Sequence, residues 1–203
     1  MGEALGPFLA GWTPMMAVMM LPSAVPMIRV FRLVAADAPN PSMRMALFVI
    51  GYLLVWAAVG IPVWGLGLLL MDLGAPAALV TGATLVLAGV YQLTPLKDVC
   101  LRQCRTPMDF LLTHWYPGSF GAVRLGVEHG LYCVGCCWAL MAVFVLVGAM
   151  SLPWLAAVAA LVFVEKVLPR GAIVGRVAGL ALIGAGILIL VRPDLAMPAD
   201  TMI

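Results

Sequence analysis

The chain has 203 residues, 65% of them hydrophobic and only 10% charged, with a mean hydropathy of +1.13. Soluble domains run at about 45–50% apolar, so a water-soluble enzyme domain is excluded. The net charge of +2 comes without a basic patch or aromatic–basic interleaving, which excludes nucleic acid as a partner.

What remains is an all-α protein, a polytopic transmembrane helical bundle spanning residues 1–203 as a single integral membrane domain, with the lipid bilayer as its first partner. About 20 apolar residues cross a hydrocarbon core of roughly 30 Å. By that rule six spans are predicted, near residues 7–28, 45–70, 76–96, 123–149, 152–168 and 172–191. The first apolar run has no basic segment before it, Glu3 being the only early charge, so it is expected to stay as a helix and not to leave as a signal peptide.

That first helix carries "WTPMMAVMMLPSAVPM", Trp12 to Met27. Met16, Met19, Met20, Ser23 and Met27 fall within about 100° on a helical wheel, with Met15 off the face. One reading is a soft packing surface, made more adaptable by Pro14, Pro22 and Pro26. The other is a stripe of thioether ligands for a soft metal ion.

Basic residues set the orientation. The connections after helices one, three and five carry Arg29, Arg32, Arg44, Lys97, Arg102, Arg105, Arg124, Lys166, Arg170 and Arg176, against Arg192 alone on the other side. Short basic loops stay in the cytoplasm, which puts both termini outside. In the connection after helix three, "KDVCLRQCRTP" sets Cys100 and Cys104 four residues apart on one face of a helical continuation of helix three. Lys97, Arg102 and Arg105 beside them favour thiolate, the metal-binding form. "LLTHWYPG" follows, an amphipathic segment whose Trp115 and Tyr116 suit the membrane interface; whether His114 joins a site is left open.

Helix four holds "EHGLYCVGCCWALM". His129, Cys133 and Cys136 lie within about 60° of one another, with Cys137 on the shoulder of that stripe. Buried cysteines commonly serve as small hydrophobes, but an imidazole at membrane depth needs a partner, and the combination points to metal or redox chemistry. Glu128 points about 100° away, as a supporting partner of the site or as the mate of Arg124 one turn back. The turn "GAMSLP" predicts an antiparallel hairpin of helices four and five. Glu165 and Lys166 at the end of helix five are expected to snorkel to the interface, the alternative being Glu165 turned inward beside the cysteine face. Gly175, Gly179, Gly184 and Gly186 on helix six suit close packing within the bundle or in a dimer.

"YQLTPLKDVCLRQCRTP", "GLYCVGCCWALM", "EKVLP" and "MMAVMMLPSAVPM" together resemble the domain-of-unknown-function 2182 family, bacterial integral membrane proteins described as metal-binding, over about Trp12 to Gly171. The resemblance implies a multi-pass protein of the bacterial inner membrane. It also implies that Cys100, Cys104, Cys133, Cys136 and Cys137, with His129, are ligands. Members of that family often carry a further apolar segment before the methionine-rich helix; here eleven residues precede Trp12, and if that segment is absent the helix count and the outside N-terminus stand on this chain's own charges.

Thioether and thiolate together select Cu(I) over hard cations, and zinc suits the cysteine and histidine donors. The leading functional reading is therefore a protein that handles a soft transition metal, copper(I) foremost, with Met16, Met19, Met20 and Met27 as a secondary path and Glu128 and Glu165 in support. A metal chaperone or another membrane subunit is the expected partner. Two alternatives stand beside it: a non-catalytic accessory subunit of a larger membrane complex, and a membrane thiol redox protein.

Overall fold

A computed structural model describes residues 4–146 and 152–195. It contains helices α1 (Leu5–Val34), α2 (Pro41–Asp72), α3 (Ala77–Gln92), α4 (Pro95–Arg105), α5 (Pro107–His114), α6 (Gly118–Leu146), α7 (Leu152–Val167) and α8 (Gly171–Val191), then a 3-10 turn at Pro193–Leu195. No strand occurs among the described residues. Helices throughout the described residues fit the apolar composition, since a helix satisfies each backbone N–H and C=O within its own segment, as a lipid environment demands.

Helices α1, α2, α6 and α8 are each long and apolar enough to cross a membrane, and α3 with α4 makes a fifth span if that bent pair is taken as one. At 1.5 Å per residue the 16 residues of α7 extend about 24 Å, short of a hydrocarbon core of roughly 30 Å. The expected third span breaks where α4 turns by 66° from α3. The cause is local. Pro95 disfavours helical backbone at Thr94, and Thr94 Oγ1 accepts the Lys97 amide at 3.4 Å as a cap on the new helix. The expected turn between helices four and five lies outside the described residues.

The chain forms two compact units, Met1–Gly65 with Val99–Gly135, and Leu66–Asp98 with Cys136–Ile203. In the first, α1 is fastened to α2 at two levels. Trp12 Nε1 donates to the Trp56 carbonyl at 2.8 Å, and Phe31 stacks on Phe48 with ring centroids 5.0 Å apart. A side chain at Gly60 would run into the Trp12 ring. Farther along, α2 packs on α6 through Gly51, Gly126 and Gly130; a Cβ on Gly126 would collide with the Phe48 carbonyl. The ends of α1, α2, α5 and α6 then share one apolar cluster of Met27, Phe31, Phe48, Phe110, Leu111 and Leu125.

In the second unit α3 and α8 run antiparallel, with Gly82 against Gly186 and Gly89 against Gly179. The glycines recur at seven-residue spacing on both helices, so two helical turns of contact fall in register. Gly175, Gly179 and Gly186 thus serve packing inside the chain, whereas Gly184 has nothing within 4 Å of its would-be Cβ.

Candidate metal site

The methionine face is buried: Met16, Met19, Met20 and Met27 are all at most 2% exposed. Trp12 and Phe31, the two residues that clasp α2, bracket it along α1. Ser23 on the same face returns its hydroxyl to the Met20 carbonyl at 2.8 Å and so adds no polar demand to the stripe.

On α6, His129 and Cys133 are buried and face α2. The His129 ring lies in an aromatic enclosure, with centroids 6.0 Å from Phe48, 5.9 Å from Tyr52 and 5.3 Å from Phe110. Tyr52 Oη and Cys133 Sγ are 3.0 Å apart in a hydrogen bond that either group can donate. Phe48 and Phe110 also pack with Met27. One aromatic wall therefore touches the thioether end of α1 and the imidazole and thiol of α6. Cys136 and Cys137 are buried too, and belong to the second unit.

Cys100 is elsewhere. Its sulfur lies against Gly135, 2.7 Å from where a Cβ would sit, and it lines a pocket with His114, Glu128, Leu131 and Tyr132. Of those α6 positions, Glu128 and Leu131 lie roughly a third of a turn or more from the His129 and Cys133 direction, and Tyr132 about 80° from it. Cys104, one turn further along α4, is buried. None of the five cysteines is in a disulfide. Among the described residues no three His, Cys, Asp or Glu side chains converge where they would hold a metal ion.

Glu128 takes the Arg124 guanidinium at 3.0 Å, as the spacing of one turn allows. Glu165 does not snorkel. It is 1% exposed, and its carboxylate receives the Lys97 ammonium at 2.6 Å and the Gln92 amide at 2.9 Å. Lys97 also donates to Gln92 Oε1. Gly175 of α8 leaves the space this triad fills, since a Cβ there would stand 2.9 Å from Glu165 Oε1. Lys97 is thus a buried ion-pair partner, where the sequence suggested a loop cation acting on the cysteines.

Sequence reasoning passed over Tyr52, Phe48, Phe110 and Gln92. For Gln92 a signal existed, a lone amide at the end of an apolar run, which in lipid requires a partner. For Tyr52 there was none, because an aromatic residue in a hydrophobic helix has no distinguishing spacing.

A copper chaperone family, PpoB2, matches residues 9–189. The chain belongs to that family. The resemblance drawn from the motifs therefore holds as far as a metal-related family, under the copper chaperone description and not the domain-of-unknown-function 2182 name. No curated protein and no solved structure matches the chain. The donors suit such cargo: thioethers, a thiol and an imidazole around an aromatic core are soft or borderline ligands, with no hard carboxylate among them.

Proposed function

We propose that this PpoB2 family member is a multi-pass inner-membrane protein that binds Cu(I) as cargo in the aromatic-walled core of its first unit and passes it to a partner. The observation that carries the reading is that Phe48 and Phe110 stand against His129 and share a cluster with Met27, the end of the buried methionine stripe, while Tyr52 of the same aromatic wall bonds Cys133. With no three His, Cys, Asp or Glu side chains convergent among the described residues, the donors that complete a soft-metal shell are the thioethers, first Met27 and then Met20, Met19 and Met16. Thiolate and thioether favour the monovalent ion, and a shell of few, weakly held thioethers releases it more readily than one of thiolates alone.

Within this reading Tyr52 stabilises Cys133 as a thiolate by donating to it, and the aromatic rings keep water from the copper. Cys136 and Cys137 continue the sulfur donors along α6, and Cys104 stands beside Cys100 on α4. The membrane arrangement that goes with it is six spans in one integral domain, with α7 as the short fifth and both termini outside, as the ten-to-one asymmetry of basic residues favours.

The test is elemental analysis of detergent-purified protein loaded anaerobically with Cu(I), wild type beside the variant Cys133→Ser, Cys136→Ser, Cys137→Ser. Copper bound by the wild type and reduced in the variant supports the reading. Equal copper in both, or none in either, ends it.

A further inference from the structure

The pocket on the far face of α6 from Cys133 has a volume of about 420 Å³ and is lined by Cys100, His114, Glu128, Leu131 and Tyr132. That volume lies in the range of small-molecule sites, roughly 300–1,000 Å³, and is far larger than a bare ion needs. Three of its lining residues bring distinct chemistry.

His114 Nδ1 lies 3.1 Å from the Phe110 carbonyl oxygen, which can only accept, and 2.8 Å from Thr113 Oγ1. The Thr113 hydroxyl proton is directed to backbone carbonyls, at 2.8 Å to Asp109. The tautomer with its proton on Nδ1 gives the Phe110 carbonyl a donor and leaves Nε2 its lone pair, the arrangement by which a backbone carbonyl orients a metal-binding imidazole. Stacking on Phe110 at 4.7 Å holds the ring in place.

Glu128 contributes a carboxylate of which one oxygen is occupied and one is not. Oε1 pairs with Arg124, while Oε2 is buried with no hydrogen-bond partner among the described residues. A buried carboxylate oxygen left without a donor is costly, and such an atom in a pocket wall calls for a cationic or N–H group on a ligand. Cys100 supplies the soft ligand.

We propose that this pocket receives copper as a Cu(I) bis-thiolate of a small amino thiol, Cys100 and His114 taking the ion while Glu128 holds the carrier's ammonium. The proposal rests on the copper-cargo reading above and adds where the cargo arrives and in what form. The exchange breaks two carrier S–Cu bonds and forms one bond to Cys100 Sγ and one to His114 Nε2. The Cys100 thiol proton leaves on one departing carrier sulfur, the other departs as thiolate, and copper remains Cu(I) throughout. Two ligands suffice for Cu(I) and leave its shell open for the next donor.

The experiment loads the full-length protein anaerobically from Cu(I)–cysteine and reads copper per chain and X-ray absorption at the copper edge. C100S and H114F, the latter keeping an aromatic ring on Phe110, should each lower bound copper by about one ion per chain and remove the nitrogen contributed by His114. Uptake from Cu(I)–cysteine should be about 10-fold faster than from Cu(I)–mercaptoacetate, which lacks the ammonium, and E128Q should narrow that gap. Copper content and spectrum unchanged in both C100S and H114F would overturn the proposal. A loss confined to the Cys133, Cys136, Cys137 variant would leave the core reading intact while removing the pocket. The reverse pattern would remove the core and keep the pocket.

Discussion

Tyr52 shows how a residue without sequence signature becomes part of a site. Its hydroxyl, 3.0 Å from Cys133 Sγ, is placed by the close approach of α2 and α6 at Gly126 and Gly130. A net hydrogen bond of about 0.5–1.5 kcal/mol corresponds to no more than about a tenfold change in affinity. Tyr52→Phe should therefore weaken Cu(I) binding by up to about 10-fold in an anaerobic chelator competition, without altering the helical content seen by circular dichroism. A second residue-scale case is Lys97 with Glu165, both sealed from solvent. Removing one partner of such a pair leaves an uncompensated charge and costs about 3–5 kcal/mol, whereas removing both together costs much less. Lys97→Met and Glu165→Gln should each lower the melting temperature in detergent strongly, and the double variant should recover most of the loss.

At the scale of elements, the contact of α3 with α8 depends on the absence of side chains. A Cβ on Gly179 would stand 2.7 Å from the Gln92 Cβ and 3.0 Å from the Gly89 carbonyl oxygen, both parts of a rigid helix. Gly179→Ala should destabilise the second unit by about 1–3 kcal/mol. Gly184→Ala, with open space around it, should be neutral or slightly stabilising, since alanine is favoured over glycine in a helix by up to about 1 kcal/mol. Thermal unfolding of the two variants side by side makes the comparison. The methionine stripe separates packing from ligation in a similar way. Leucine fills nearly the same volume as methionine, so Met20→Leu with Met27→Leu should cost little stability, under about 1.5 kcal/mol at each position. On the copper reading the same pair should lower Cu(I) affinity, because no thioether remains at those positions.

For the whole molecule, the proposed membrane topology rests on the asymmetry of basic residues and can be tested directly. With six spans and both termini outside, a single added cysteine at Ala38, between α1 and α2, should react with an impermeant thiol reagent only after the cells are opened. One at Gly74, between α2 and α3, should react in intact cells whose outer membrane is permeable to the reagent. Labelling of both positions from the same side would refute the six-span arrangement.

Composition and periodicity alone decided the all-helical class, the places of the long apolar segments, and the faces of α1 and α6 that turn inward. Each of these is a property of one segment, and hydropathy with a period of 3.6 residues reads it directly. The burial of Met16, Met19, Met20 and Met27 on one face is the clearest instance. Which cysteine stands with which partner was not a property of any one segment. Cys100 and Cys133 look alike along the chain, yet the 66° turn at Pro95 starts the helix that carries Cys100 to Gly135, while the glycines of α6 admit Tyr52 to Cys133. Lys97 and Glu165 are 68 residues apart, and nothing in their neighbourhoods announces their pairing. Such pairings are set by how closely backbones approach and at what angle, a matter of packing geometry that only the folded chain resolves.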